Sequence, residues 1–156
     1  MNTDRFHAGP APLYPRERVA RYNRGVARPP VVQSFLVADA VIQDRATGKW
    51  SVIGVFDRLL APAFPCVHPS LAVYVRLTDA QGAYAVRIEF RDSDDRCVAS
   101  IEGIRVDVTE RTRAVDFGVV AHGLRLERPG LYHFQLYLNG EFAASVPLEA
   151  RPLASA

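Results

Sequence analysis

From Val31 onward the apolar residues recur with a period of two, and turn-favouring residues interrupt them roughly every 8–12 positions. That period places successive side chains on opposite faces of an extended strand, so it commits this part of the chain to half-buried β structure rather than amphipathic helix. Leu71, Val73, Val75 and Leu77 alternate with Ala72, Tyr74, Arg76 and Thr78, and Tyr84, Val86, Ile88 and Phe90 repeat the pattern. Cys97, Ala99 and Ile101 share one parity while Ile104, Val106 and Val108 take the other, which predicts a bulge or bend at Gly103. Val115, Phe117 and Val119 form another strand, and Leu124 and Leu126 a short one. In a terminal hairpin Tyr132, Phe134, Leu136 and Leu138 face Phe142, Ala144, Val146 and Leu148. The stretches 31–42 and 50–60 are apolar on both parities, as strands covered on both faces are.

Inward residues of paired strands must face each other, so parity selects the loops. Residues 79–82 and 92–95 are predicted as four-residue hairpin loops, the first pairing Leu77 with Tyr84 and the second pairing Phe90 with Cys97. Asn139-Gly140 invites a two-residue turn, but parity favours a three-residue loop over 138–140 that pairs Leu136 with Phe142 and Phe134 with Ala144. About eight strands of this kind predict an all-β fold, a two-sheet antiparallel β-sandwich. The stretch Leu124-x-Leu126-x-x-Pro129-Gly130-x-Tyr132-x-Phe134 resembles the E–F corner of immunoglobulin-like domains, in which a tyrosine hydroxyl bonds back to upstream backbone. The resemblance implies an immunoglobulin-like sandwich without the Cys…Trp…Cys framework; a jelly-roll or C2-like sandwich is the alternative.

Residues 1–30 are expected to form a flexible, Pro/Arg-rich N-terminal arm, and residues 31–152 the β-sandwich domain. Prolines at 10, 12, 15, 29 and 30 break any helix in the arm, and Tyr14 and Tyr22 are its candidate anchors on the body or on a partner. Six arginines against Asp4 and Glu17 give residues 1–28 a net charge of +4; the whole chain is +2, so the body is acidic by two charges. Lys49 is the only lysine among 19 basic residues. Such an arginine excess reads as coding composition rather than as a set of phosphate contacts, and nucleic acid is not the expected partner. No run approaches the roughly 18–20 apolar residues of a membrane span, and MNTDRFHAGP has no apolar stretch of signal-peptide type, so a cytoplasmic location away from membranes is expected.

The chemistry-bearing residues do not assemble into a catalytic pattern. Gly48-Lys49 lacks the upstream glycine and the strand-to-helix context of a phosphate loop and reads as a hairpin loop. Cys66 and His68 form a lone C-x-H, with Cys97 far along the chain on an inward parity, so two free thiols are expected rather than a zinc site or a disulfide. Asp92, Asp94 and Asp95 lack the glycine and further acceptor of a calcium loop and read as a solvated turn. His7, His68, His122 and His133 have no nucleophile elbow beside them. No catalytic, cofactor-binding or metal-binding residue is therefore assigned, and the chain is not expected to be an enzyme. Tyr74, Arg76, Arg87, His133 and Tyr137 fall on outward parities and belong to the residue types that anchor interfaces, so they form the candidate partner surface. The expected function is a non-catalytic protein-interaction or scaffold module, with a protein partner or a homo-oligomer. The alternatives are a carbohydrate-binding sandwich and arm-mediated binding to nucleic acid or another acidic surface.

Val37-Ala38-Asp39-Ala40-Val41, Asp44-x-x-Thr47-Gly48-Lys49-Trp50-Ser51-Val52-Ile53-Gly54-Val55-Phe56-Asp57, Pro65-x-x-His68-Pro69 and the terminal Pro-Gly-x-Tyr-x-Phe hairpin together resemble an uncharacterised bacterial family of unknown function, over about residues 31–150. That resemblance implies a β-sandwich and carries no activity or ligand with it. Since the strand pattern begins only after Pro30, removing residues 1–29 is expected to leave a folded body. Far-UV circular dichroism should stay β-dominated and the melting temperature within a few degrees of the full chain; early melting or aggregation would instead make the arm a cover for a sheet edge.

Overall fold

The computed structural model describes residues 29–154, so the proposed arm up to residue 28, with Tyr14 and Tyr22, lies outside the described residues. Nine strands follow in order, and no helix occurs among the described residues: β1 (Val31–Gln43), β2 (Trp50–Val55), β3 (Arg58–Ala61), β4 (Cys66–Thr78), β5 (Gly82–Arg91), β6 (Cys97–Val108), β7 (Val115–Leu126), β8 (Gly130–Leu138) and β9 (Glu141–Pro152). They form a four-stranded sheet in the order β2-β1-β4-β7 and a five-stranded sheet in the order β3-β9-β8-β5-β6. One hydrophobic core draws on both, with Val37, Leu71, Val73, Val75 and Leu77 from the first and Tyr84, Ile88, Phe90, Phe134 and Leu136 from the second. The alternation seen in the sequence is the alternation of this core face.

Pairing is antiparallel except between β3 and β9, which run parallel, so the purely antiparallel expectation is corrected. The 50–60 stretch is also not one doubly covered strand. It leaves the four-stranded sheet after Val55, crosses at Phe56 and Asp57, and joins the other sheet as β3, where the Asp57 carbonyl accepts the Glu149 amide at 2.8 Å. Both pieces are edge strands, and their outward apolar residues Ile53, Val55 and Leu60 are exposed.

Bulges decide the remaining registers. At Gly103 (φ 79°) Val86 pairs with Ile104 but Ile88 pairs with Ile101, which is the parity change expected there. Leu77 and Tyr84 are not hairpin neighbours, because the chain between β4 and β5 changes sheets; the Tyr84 hydroxyl fixes that crossing by donating to the Gln81 carbonyl at 2.9 Å and accepting its amide at 3.0 Å. The β5–β6 hairpin pairs Phe90 with Ala99 and Arg91 with Cys97, not Phe90 with Cys97, and Cys97 is exposed rather than inward. Asn139 and Gly140 both have positive φ (52° and 82°) and make the two-residue turn. A bulge at Leu136/Tyr137 then restores parity, so Leu136 meets Ala144 and Phe134 meets Val146. Leu124 and Leu126 belong to β7 itself, which continues through Gly123 at φ 63°.

Two local devices hold the sheets. The Tyr132 hydroxyl donates to the Arg128 carbonyl at 2.8 Å and accepts the Arg128 amide at 3.4 Å, tying the start of β8 to the end of the β7–β8 connection. On the outer side of the four-stranded sheet, the far end of the β1–β2 ribbon bends back across β4 to reach β7. Two-stranded ribbons twist strongly, and small residues (Ala38, Ala72 and Gly118) leave room for this one. A Cβ on Gly118 would lie 2.8 Å from Val41 Cγ1 and 3.0 Å from Trp50 Cζ3.

Substituting Tyr132 with Phe should cost about 1–3 kcal/mol in chemical denaturation, since it strands the Arg128 backbone groups without their partner. Gly118→Ala should also destabilise, by about 1–3 kcal/mol from overpacking beneath Val41 and Trp50. Unchanged midpoints would remove these two roles.

Candidate functional site

The five outward residues of the sequence reading do not form one surface. Tyr74 and Arg76 are on β4, on the outer side of the four-stranded sheet, whereas Arg87 is on β5 and His133 and Tyr137 on β8, on the outer side of the five-stranded sheet. Tyr74 is only 8% exposed. Its ring lies 6.3 Å from that of Trp50, and its hydroxyl donates to Asp116, which also accepts from Arg76 Nη1 at 2.9 Å. Arg76 Nε donates in turn to Gln33 at 2.8 Å. Burial, together with the bond to Asp116, pushes the Tyr74 phenol pKa up. The outward parity of Tyr74 was legible; its cover is the β1–β2 ribbon of the same chain, so the Tyr74 ring serves internal packing, while the Arg76 side chain stays 40% exposed.

The other three residues share one face. Register sets Tyr137 between Arg87 of β5 and Phe142 of β9. One row along, Gln135 lies between Glu89 and Ser145, and the next row places His133 between Arg91 and Pro147. The Arg87 guanidinium carbon stands 4.4 Å from the centre of the Tyr137 ring, and Phe142 meets that ring edge-on at 6.0 Å between centres. The Tyr137 hydroxyl donates to Gln135 at 2.8 Å, which fixes the ring that carries the stack. Phe142 is 59% exposed and is the one exposed aromatic side chain among the described residues. Sequence parity had turned it inward; the signal that could have placed it was Asn139-Gly140, because a two-residue turn puts Phe142 opposite Tyr137.

Charge on this face is mostly internal. Glu89 is buried at 8% exposure, with Arg91 Nε donating to it at 2.7 Å and Arg87 Nε 3.0 Å away. Arg87 Nε is itself buried and has no aligned hydrogen-bond acceptor. Its guanidinium is thus oriented by the ring below it and the carboxylate beside it. A shallow hollow of about 180 Å³ adjoins Arg87, between Glu102 and Gly103 of the β6 bulge and Gly140 of the β8–β9 turn.

The other motifs resolve into local structure. Residues 44–49 close the β1–β2 hairpin, with Asp44 accepting from the Ala46 amide at 2.9 Å and from Thr47 Oγ1 at 2.7 Å; the Thr47 bond leads in lowering the Asp44 pKa. Asp92 accepts the Arg96 and Asp94 amides at 3.0 and 2.9 Å, and these bonds, that of Arg96 first, hold its pKa below the ordinary aspartate value. Asp94 is paired with Arg96 and Arg128. Cys66 and Cys97 are free thiols. Among the described residues no cluster of three or more His, Cys, Asp or Glu is placed to hold a metal ion, and no helix is long and apolar enough to cross a membrane.

Comparison with solved structures gives likeness at the level of fold. The alkylpurine DNA glycosylase AlkC of Pseudomonas fluorescens, bound to DNA containing an abasic-site analogue, is similar over 81% of this chain at 12% identity, with a TM-score of 0.52. The β-glucosidase of Listeria innocua in complex with isofagomine is similar over 75% of this chain at 13% identity, with a TM-score of 0.41. The matched region spans 32% of the glycosylase and 16% of the glucosidase. No curated protein matches the chain. A family model does match, over residues 33–151, and the chain therefore belongs to the family of unknown function DUF6941.

Proposed function

We propose that this chain is a non-catalytic interaction module whose partner, a protein, docks on the outer face of the five-stranded sheet at Arg87, Tyr137 and Phe142. The observation that carries this reading is the stack itself: an exposed phenylalanine braced by a tyrosine whose other neighbour is a half-buried arginine. Aromatic and arginine side chains held in fixed positions lose little conformational freedom on binding, and these types dominate interface hot spots. Phe142 at the stack's outer end contributes little to the fold while it faces water.

An immunoglobulin-like sandwich is the fold we propose for the module. The order β1-β4-β7 facing β3-β9-β8-β5-β6, the parallel β3–β9 pair and the Tyr132 corner support it. A cytoplasmic setting fits the two free thiols. The carbohydrate alternative asks for a row of exposed planar rings, and Phe142 has no exposed aromatic companion among the described residues.

In-cell cross-linking with the full chain as bait, followed by mass spectrometry, tests the docking face. Phe142→Ser is expected to reduce partner recovery by about tenfold or more, the effect of removing one hot-spot ring, while leaving the melting temperature nearly unchanged. Undiminished recovery would overturn the proposed face. A large drop in melting temperature would show that Phe142 supports the fold instead.

A further inference from the structure

We infer that β7 is a dimerisation edge, pairing antiparallel with β7 of a second copy of this chain about a twofold axis through Val119. The sheets end in four edge strands, β2, β7, β3 and β6. Edge strands invite pairing unless something blunts them. Strand β2 has six residues and is interrupted at Gly54 (φ 67°); β3 has four residues and begins with Arg58. Strand β6 is long but carries the Gly103 bulge along with Glu102, Arg105 and Asp107. Strand β7 has 12 residues, and its central run Phe117-Gly118-Val119-Val120-Ala121 contains no charge, no proline and no residue with positive φ. Among the described residues its outer backbone edge has no strand partner.

The core is also open on this side. A hollow of about 140 Å³ runs from Val120 and Ala121 of β7, past Ala99 and Ile101 of β6, to the core rings of Phe90 and Phe134. Val120 borders its mouth, and its side chain, on the outer side of the sheet with Ala72, is 52% exposed. A strand added to β7 covers that mouth.

The second copy follows from the side chains. A paired strand must keep core-facing residues opposite core-facing residues, so the symmetric registers available to this run centre on Gly118, Val119 or Val120. Centring on Gly118 sets Asp116 against Val120, and centring on Val120 sets Gly118 against His122. With Val119 at the centre, the pairs become Phe117 with Ala121, Gly118 with Val120, and Asp116 with His122. Each large residue meets a small one, and each carboxylate meets an imidazole. Val120 of one copy then lies beside Gly118 of the other, under the Val41 and Trp50 that overhang it. A twofold interface requires this kind of self-complementarity, and it joins the two four-stranded sheets into one of eight strands.

Sedimentation equilibrium of the full chain at micromolar concentrations reads the outcome directly. A dimer is expected. Val120→Lys and His122→Asp, both at exposed positions, should each raise its dissociation constant by about tenfold or more, the second by setting Asp opposite Asp116. In a Cys66→Ser/Cys97→Ser background, Val119→Cys should form an intermolecular disulfide, because opposed Cα atoms about 4.5–5.5 Å apart fall within disulfide range. A monomeric chain overturns the inference. So does a dimer that both surface variants leave intact, whether it is held by the N-terminal arm or by the Phe142 face. Loss of the dimer with Phe142→Ser alone points to the latter face and counts against β7.

Discussion

Phe90 is the centre of the aromatic cluster that ties the five-stranded sheet to the corner leading into it. Its ring stacks on Tyr132 at 5.2 Å with 6° between the planes and packs against Phe134 at 4.7 Å. Tyr132 in turn holds the Arg128 backbone, so one aromatic group joins β5, β8 and the corner by which the chain passes from the four-stranded to the five-stranded sheet. Fully burying aromatic rings of this size contributes roughly 1.5–3 kcal/mol each. Strand alternation says only that such rings face inward. Their mutual stacking fixes which strands they bring together.

The inward set was legible because a strand of period two has one free choice, which face is wet, and polar residues on the other face settle it. Leu71 to Leu77, Tyr84 to Phe90 and Tyr132 to Leu138 all lie as their alternation implies. The strand partners were not legible in the same way. Parity is blind to a chain that changes sheets, which is how Leu77 and Tyr84 end up in different layers. It is blind also to a bulge with no glycine to announce it. Gly103 revealed its bulge, whereas the one at Leu136/Tyr137 lies between residues of ordinary strand type. Treating the terminal hairpin as bulge-free forced the loop to three residues and turned Phe142 inward, although Asn139-Gly140 carried the correct local chemistry.

The same limit governs the candidate surface. Outward parity identified Tyr74 and Tyr137 correctly as residues off the core face, but a sandwich has two outer faces, and only topology assigns a strand to one of them. Tyr74 then meets a second constraint that no local pattern carries: the β1–β2 ribbon folds over it, and the sequence signs of that cover are distant small residues, Ala38, Ala72 and Gly118, along with the single tryptophan. Tyr137 has no such roof. It is packed from the side by Arg87 and Phe142, which leaves the far end of the stack in water.

The two outer faces and the edges thus divide the work of burial unequally. Ribbon, corner and core close most of the apolar surface from within the chain. Apolar side chains stay exposed at several edges and strand ends, and two of the places left open are Phe142 on one face and Val120 on the β7 edge. These differ in kind. A ring on a sheet face offers side-chain contact and can be specific for a partner's shape, while an unblunted edge offers backbone hydrogen bonds that any compatible strand can accept. Selectivity at the edge must therefore come from its flanking residues. Asp116 is already held by Tyr74 and Arg76, so its carboxylate is oriented before any second strand arrives, and an ordered charge at one end of a neutral run is what distinguishes one register from its neighbours.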